Sequence, residues 1–169
     1  KRMKRENLKV GMYSIVDENA EIDSNVTIGN FCVIHAGVII GQGTVIRDYV
    51  ELRSGTVVGK NCQIDSRVSS SGNNRIGNNV ILRYDSIIAK GCDIGDGTYV
   101  CPRVMTNNLD TEGHSIGRAK VGKNCFIGTN AVLQHGIIIG DNVIIGSMSF
   151  VNKNCDSDST YIGAPAKKI

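Results

Sequence analysis

The stretch IGNFCVIHAGVIIGQGTVI, Ile28 to Ile46, puts an isoleucine at every sixth place: Ile28, Ile34, Ile40 and Ile46. The same step runs backwards to Ile22 and Val16. Forwards it passes Leu52, Val58, Ile64, Ser70, Ile76, Leu82, Ile88, Ile94 and Val100 to reach Thr106, and only Ser70 and Thr106 are not aliphatic. A second run restarts at Val121 and continues through Ile127, Leu133, Ile139, Ile145 and Val151. Four places after the aliphatic residue sits a small or β-branched one, as at Ala20, Val26, Cys32, Val38, Thr44, Val50, Thr56 and Cys62. Gly or Asp often follows the aliphatic residue directly.

Helical faces recur at 3.6 residues and strand faces at 2, so neither produces a period of six. A hexad with two inward positions fits one short strand followed by a tight turn. Three hexads then close a triangular coil, and the coils stack as parallel strands. The sequence therefore predicts an all-β fold, a left-handed parallel β-helix over residues 16–162. The two runs amount to five coils and two more, about seven in all. A basic segment, 1–15, precedes it and a tail, 163–169, follows.

Composition agrees with this interior. Aromatic residues make up 5% of the chain and Trp is absent, so Ile, Val and Leu have to fill the core. Net charge is +3, but the first ten residues alone carry +4, which leaves the rest near neutral. No cationic stripe marks the repeat region, so nucleic acid is not an expected partner. No apolar run approaches the ~18 residues of a membrane-spanning helix, and no signal-peptide pattern follows the basic start. The sequence reads as that of a cytoplasmic protein. Cys32, Cys62, Cys92, Cys125 and Cys155 occupy the small inward position and are expected as buried thiols. Cys32, Cys62 and Cys92 are spaced to fall on three different faces, so no metal cluster is expected. Cys101, one place after Val100, is expected to point outward.

The beat fails between Thr106 and Val121, in TNNLDTEGHSIGRAK (106–120). Fifteen residues separate the two positions, one hexad plus nine, so a nine-residue extrusion is expected here. A solenoid tolerates an insertion at a corner, which frees its sequence for function. Asn107, Asn108, Asp110, Glu112 and His114 lie in it. A weaker break is SSGNNR, Ser70 to Arg75. It reads equally well as a corner bulge without function and as a ligand contact.

The hexads, the opening YSIVDENAEIDSNVTIGNF (13–31), the segment FIGTNAVLQHGIIIGDNVIIGSMSFV (126–151) and the closing YIGAPAKKI (161–169) resemble the hexapeptide-repeat acyltransferases. The segment PRVMTNN (102–108) is similar to the Thr-Asn segment of the acetyltransferases that act on nucleotide-linked amino sugars. The resemblance implies a homotrimer with sites between subunits and acetyl-CoA as co-substrate in a groove between neighbouring solenoids. It also implies a functional Asn: matching letters gives Asn107, counting six from Pro102 gives Asn108. By the same resemblance, cofactor contacts are expected from His135, Gly146, Ser147, Gly163, Ala164, Lys167 and Lys168, and substrate contacts from His35, Arg83, Tyr84 and Arg103. The loop departs from the family pattern in lacking a Pro-Arg pair.

Acetyl transfer from a thioester to an amine requires a neutral nitrogen, a donor for the developing oxyanion and a proton acceptor. An Asn amide can donate to the oxyanion or hold the amine in line, the role expected of Asn107 or Asn108. His114, an imidazole in the extruded loop, is a general-base candidate, with a solvated loop residue as the alternative. Lys167 and Lys168 suit the phosphates of CoA, with a frayed basic terminus as the alternative. Three readings remain open: an N-acetyltransferase on a nucleotide-linked amino sugar, an O-acetyltransferase on a sugar or small-metabolite hydroxyl, and a non-catalytic scaffold subunit. A zinc hydratase of the same fold needs two closely spaced His, whereas His114 and His135 are 21 residues apart.

Overall fold

A computed structural model describes residues 5–115 and 117–169. Its strands are almost all two residues long and belong to three parallel sheets of ten, eight and seven strands, the faces of a left-handed triangular prism. Face one starts at Lys9–Val10, face two at Ile15–Val16 and face three at Glu21–Ile22. Most strands pair with the one eighteen residues on, as in Val33↔Glu51 and Ile39↔Val57, and across the insertion the interval is 27, as in Tyr99↔Phe126. The predicted β-helix is thus the observed fold, with about eight coils against the expected seven. The added coil is the sum of three strands beyond the counted hexads: Lys9–Val10, which pair with Thr27 and Ile28, Met105–Thr106 before the insertion, and Thr160–Ile162 at the end.

The second residue of each strand points inward and is the aliphatic one of the hexad; Ile28, Ile34, Ile40, Ile46, Leu52, Ile64 and Leu82 are all buried. The residue four places later is buried as well and rounds the corner from inside. Where that residue is polar it bonds to the adjacent corner: Thr44 Oγ1 donates to the Gly59 carbonyl at 2.8 Å and accepts from the Cys62 N–H at 3.1 Å. Cys32 and Cys62 use their thiols in the same way, on the carbonyls of Arg47 and Gly77. Buried donors are therefore satisfied within the stack, as a dry interior requires.

The five inward cysteines are buried, and Cys32, Cys62 and Cys92 precede strands of three different faces. Burial pushes the Cys155 thiol up to about 11, with Asp156 and Cys125 adding to it. Cys101 departs from expectation, for it is buried too. Its N–H donates to the Ile127 carbonyl, which sets it in register between Arg83 and Gly128 of the adjacent coils, and the thiol lies against Thr129.

The ends are closed differently. At the start, the Arg5 guanidinium donates to the carbonyl of Ala20 at 3.1 Å. At the finish, Lys167–Lys168 turn back as an antiparallel strand on Thr160–Ile162. Phe150 N–H donates to the Gly163 carbonyl, and the Phe150 carbonyl accepts from Ala166 N–H. The closing lysines are thus part of the sheet rather than a frayed end.

Corners stack closely enough that a side chain has no room at some glycines. A Cβ on Gly41 would lie 2.6 Å from the carbonyl carbon of Gly59 in the next coil. Gly41→Ala is expected to destabilise by about 1–3 kcal/mol, the usual cost of overpacking. Thermal unfolding followed by circular dichroism checks this, and an unchanged midpoint would contradict the close stacking.

Candidate functional site

Each coil crosses from face two to face three at what we call the second corner; the first corner joins faces one and two. The insertion leaves at the second corner. Thirteen residues, 107–119, join Met105–Thr106 to Lys120–Val121, where four, 89–92, do so one coil earlier. The stack closes around the insertion without a slip: Asn107 N–H still donates to the Leu133 carbonyl at 2.9 Å, and Lys120 pairs with both Asp93 and Ile138. The expected nine-residue extrusion is therefore present.

The loop holds itself by a carboxylate. Asp110 Oδ1 accepts from the N–H groups of Glu112 at 2.9 Å and His114 at 2.8 Å, and Gly113 N–H donates to the Asp110 carbonyl. Its other oxygen, Oδ2, is 3.4 Å from His114 Nδ1. Glu112 Oε2 lies 3.6 Å from the same nitrogen. A proton on Nδ1, facing these carboxylates, leaves Nε2 as the acceptor end of the ring. The His114 N–H holds Asp110 below the usual carboxylate range, with further help from the Glu112 N–H, the His114 ring and the charge of His135.

Asn107 and Asn108 begin the loop and line a shallow cleft of about 290 Å³ with Ile87, Ala89, Met105, Thr106 and Leu109. Thr106, the polar residue in an aliphatic position, accepts from the Ala89 N–H through its hydroxyl at 2.7 Å. Because Thr106 pairs with Leu133 across the coils, His135 stacks next to Asn108 along the corner. The fold thus brings Asn107, Asn108, Asp110, His114 and His135 to one place. His35 lies on the same corner four coils back from Asn107, with Nε2 3.1 Å from Glu51 Oε1.

The other expected residues gather elsewhere. Arg83, Tyr84 and Arg103 lie on the first corner, as do Gly146 and Ser147, and Gly163 and Ala164 follow the last strand of face one. Arg83 is engaged by Asp65 at 2.5 Å and by the Tyr99 hydroxyl. Lys168 Nζ is 3.2 Å from Asp156 Oδ2, whereas Lys167 pairs through its backbone with Ile162. Within one chain these two sets occupy different edges of the prism. Sequence reasoning did not single out Asp110 as an organiser of the loop. The signal was present in DTEGH, where an Asp precedes residues whose N–H groups it can accept from in an Asx-type turn.

Two family descriptions match parts of the chain: "Bacterial transferase hexapeptide (six repeats)" over residues 118–153 and "Hexapeptide repeat of succinyl-transferase" over residues 18–47. No curated protein sequence matches it significantly. Among solved structures, it is similar to a maltose O-acetyltransferase from Clostridium difficile 630, with 29% identity over 68% of each chain and a TM-score of 0.61. The acetyltransferase domain of PglB from Neisseria gonorrhoeae, also solved with acetyl coenzyme A, is 19% identical over 89% of this chain, with a TM-score of 0.56. The chain spans 57% of the length of that structure. AntD, an N-acyltransferase from Bacillus cereus in complex with dTDP-4-amino-4,6-dideoxyglucose and coenzyme A, is 20% identical over 94% of this chain and 83% of its own, with a TM-score of 0.56.

Asp110 yields a test of the loop. A carboxylate whose folded pKa is depressed contributes its order above its unfolded pKa and loses it as pH falls through the folded value. Protection of the Glu112 and His114 amides, measured against the intrinsic exchange rate at each pH, is therefore expected to fall in acid, below the ordinary value of 3.8, and in Asp110→Ala at neutral pH. Unchanged exchange in that variant would remove Asp110 from its organising role. The fold, the period and the two matched segments lead to one conclusion: the chain is a β-helix built on a six-residue repeat, and its residues 118–153 match the hexapeptide repeat described for bacterial transferases.

Proposed function

We propose that this protein is an acetyl-CoA-dependent N-acetyltransferase acting on the amino group of a nucleotide-linked amino sugar, working as a homotrimer. The observation that carries the reading is the extrusion at the second corner, which gathers two amides, a carboxylate and two imidazoles on an otherwise repetitive surface. The likeness to a maltose O-acetyltransferase supports acyl transfer to a sugar. The complex of AntD with an amino-sugar nucleotide and coenzyme A shows that a fold of this kind holds both substrates. Acetyl-CoA as donor is in keeping with the PglB complex.

In the proposed reaction the neutral amine attacks the thioester carbonyl, a C–N bond forms and the C–S bond breaks. The amide of Asn107 or Asn108 donates to the carbonyl oxygen as it gains charge. The amine proton passes to His114 Nε2, and the departing sulfur is protonated as the thiol. Because the first-corner set, Arg83, Tyr84, Arg103, Gly146 and Ser147, cannot reach the second corner of its own chain, a neighbouring chain has to supply it. A heterologous contact repeated around a three-fold axis closes such a ring. The thiols, free and buried, suit a reducing compartment such as the cytoplasm.

The O-acetyltransferase reading is favoured by one observation: a His with Nδ1 beside a carboxylate is the arrangement that activates a hydroxyl, which needs a base more than an amine does. Free-thiol release from acetyl-CoA with a panel of nucleotide-linked amino sugars and simple sugars decides between them. Asn107→Ala or Asn108→Ala is expected to cut turnover by about 10²-fold or more, in the range found for an oxyanion donor, with an unchanged melting temperature. Full activity in both single variants would sink the role of the amides. A fall of only a few-fold in His114→Ala fits an amine acceptor, and a fall beyond a hundredfold fits a hydroxyl.

A further inference from the structure

The hexad SSGNNR, Ser70 to Arg75, stays outside the reaction proposed above, yet it reshapes the same corner. Its inward position holds Asn74 where other hexads have Val, Cys, Thr, Ser, Ala or Ile, and Asn74 is fully buried. The side chain is completely used: Nδ2 donates to the carbonyls of Ala89 at 2.7 Å and Cys92 at 3.0 Å, and Oδ1 accepts from the Gly72 N–H at 3.1 Å. The last bond draws the corner inward. Gly72 is buried, with φ +106°, and a Cβ there would lie 2.9 Å from the Ser54 carbonyl oxygen. Ser71 and Gly72 therefore form the floor of a recess, because the corner has been pulled in and carries no long side chain.

The walls of the recess are cationic. His35, Arg53, Ser54, Ser71, Gly72, Asn73 and Lys90 surround a cavity of about 310 Å³. Arg53 Nε donates to Glu51 Oε1 at 3.1 Å, and the same oxygen receives His35 Nε2 at 3.1 Å. Burial raises the pKa of Glu51, but the bonds from Arg53 and His35 outweigh it and the carboxyl is held below its usual range. Glu51 thus stays ionised and aims Arg53, whose two terminal nitrogens remain available. Among the described residues, neither Lys90 Nζ nor the hydroxyls of Ser54 and Ser71 have a partner within the chain. A guanidinium fork, an ammonium and two hydroxyls around a small-residue floor match the oxygens of linked phosphates.

Position along the corner ties the recess to the cleft. Lys90 is one coil before Asn108, because Ile87 pairs with Met105, and His135 is one coil beyond. We infer that the recess is a pyrophosphate subsite, formed by Arg53, Lys90, Ser54 and Ser71 and shaped by Asn74, that anchors a substrate reaching along the corner to Asn108. The inference rests on the reading of the acceptor as nucleotide-linked. Coenzyme A also carries a pyrophosphate, but the residues expected to touch it lie at His135 and on the later coils, beyond Asn108 from the recess. The acceptor is therefore the assigned source.

Titration calorimetry with UDP, dTDP and desulfo-coenzyme A on the full chain tests this. Arg53 and Lys90 are exposed, so Arg53→Ala and Lys90→Ala leave the core intact, and Lys60→Ala on another corner serves as control. Each of the two variants is expected to weaken binding of a nucleoside diphosphate by roughly tenfold or more. Desulfo-coenzyme A and the control are expected to stay unchanged. A loss for desulfo-coenzyme A instead keeps the pyrophosphate site and assigns it to the donor. Wild-type affinity in both variants for every ligand, or no binding by the wild type, overturns the subsite. Because the readout is binding, it separates from the reaction. Weakened nucleotide binding without transfer to any amino sugar would sink the activity and keep the subsite, while transfer with unchanged affinities would do the reverse.

Discussion

Outside the coil that carries the insertion and the last one, each strand of this chain is held by strands eighteen places before and after it. That interval is the constraint on which the rest depends, because three strands and three corners have to fit into it or the parallel ladders break. The aliphatic inward residue is its consequence: most inward Ile and Leu pack on an aliphatic residue one coil away, and a ring enters the stack only at its end, where Tyr161 follows Ile145. The extruded loop is the other consequence. After Thr106 the partner is Leu133, nine places later than the interval allows, so the surplus has to leave the stack. A sequence under this rule has few places for unique chemistry, and the loop's departure point is the largest of them.

The corners show the same rule under strain. Each turn needs a residue in the left-handed region, and at the third corner, between faces three and one, that residue is Asn, Gly or Asp at every coil, from Asn7 and Asn25 to Asn142 and Asp158. The first corner instead places Tyr13, Phe31, Tyr49, Arg67, Asp85, Arg103, Asn130 and Met148 there. A side chain in that region costs roughly 1–2 kcal/mol each. Part of the cost is offset by stacking along the edge: Tyr13 and Phe31 are 5.2 Å apart, Phe31 and Tyr49 5.0 Å, and Arg67 takes Asp85 through two bonds. Strain kept at one edge and avoided at another is the pattern of a surface retained for contact rather than for folding. It falls on the edge that carries Arg83, Tyr84 and Arg103.

Legibility followed the period. The fold, the inward pairs and the size of the extrusion were readable because each is a statement about spacing. Cys101 was misread because its burial depends on neighbours from the adjacent coils, Thr129 and Arg83, which spacing from Val100 alone does not reveal. Lys9–Val10 escaped although Val10 stands six places before Val16, because they sit among the charges of the first ten residues and were grouped with that basic segment. In SSGNNR the sequence marked a break but not its direction. Only the bonds of Asn74 show that the corner moves inward. Asp110 was seen as a loop residue, yet its role as the loop's acceptor depends on a turn that letters allow without requiring.

The separation of the two residue sets limits what one chain can do. His35, Lys90, Asn108, His114 and His135 follow one edge, while Arg83, Tyr84, Arg103, Gly146 and Ser147 follow another, and the filled prism lies between them. No hinge within a solenoid moves one edge to the other, since every coil is bonded to the next on all three faces. Either the first edge alone holds both substrates, leaving the strained edge without a role, or the edges meet across copies of the chain. The second arrangement, the one proposed above, uses both features. It also makes the site depend on concentration, because a lone chain would expose half of it at each edge.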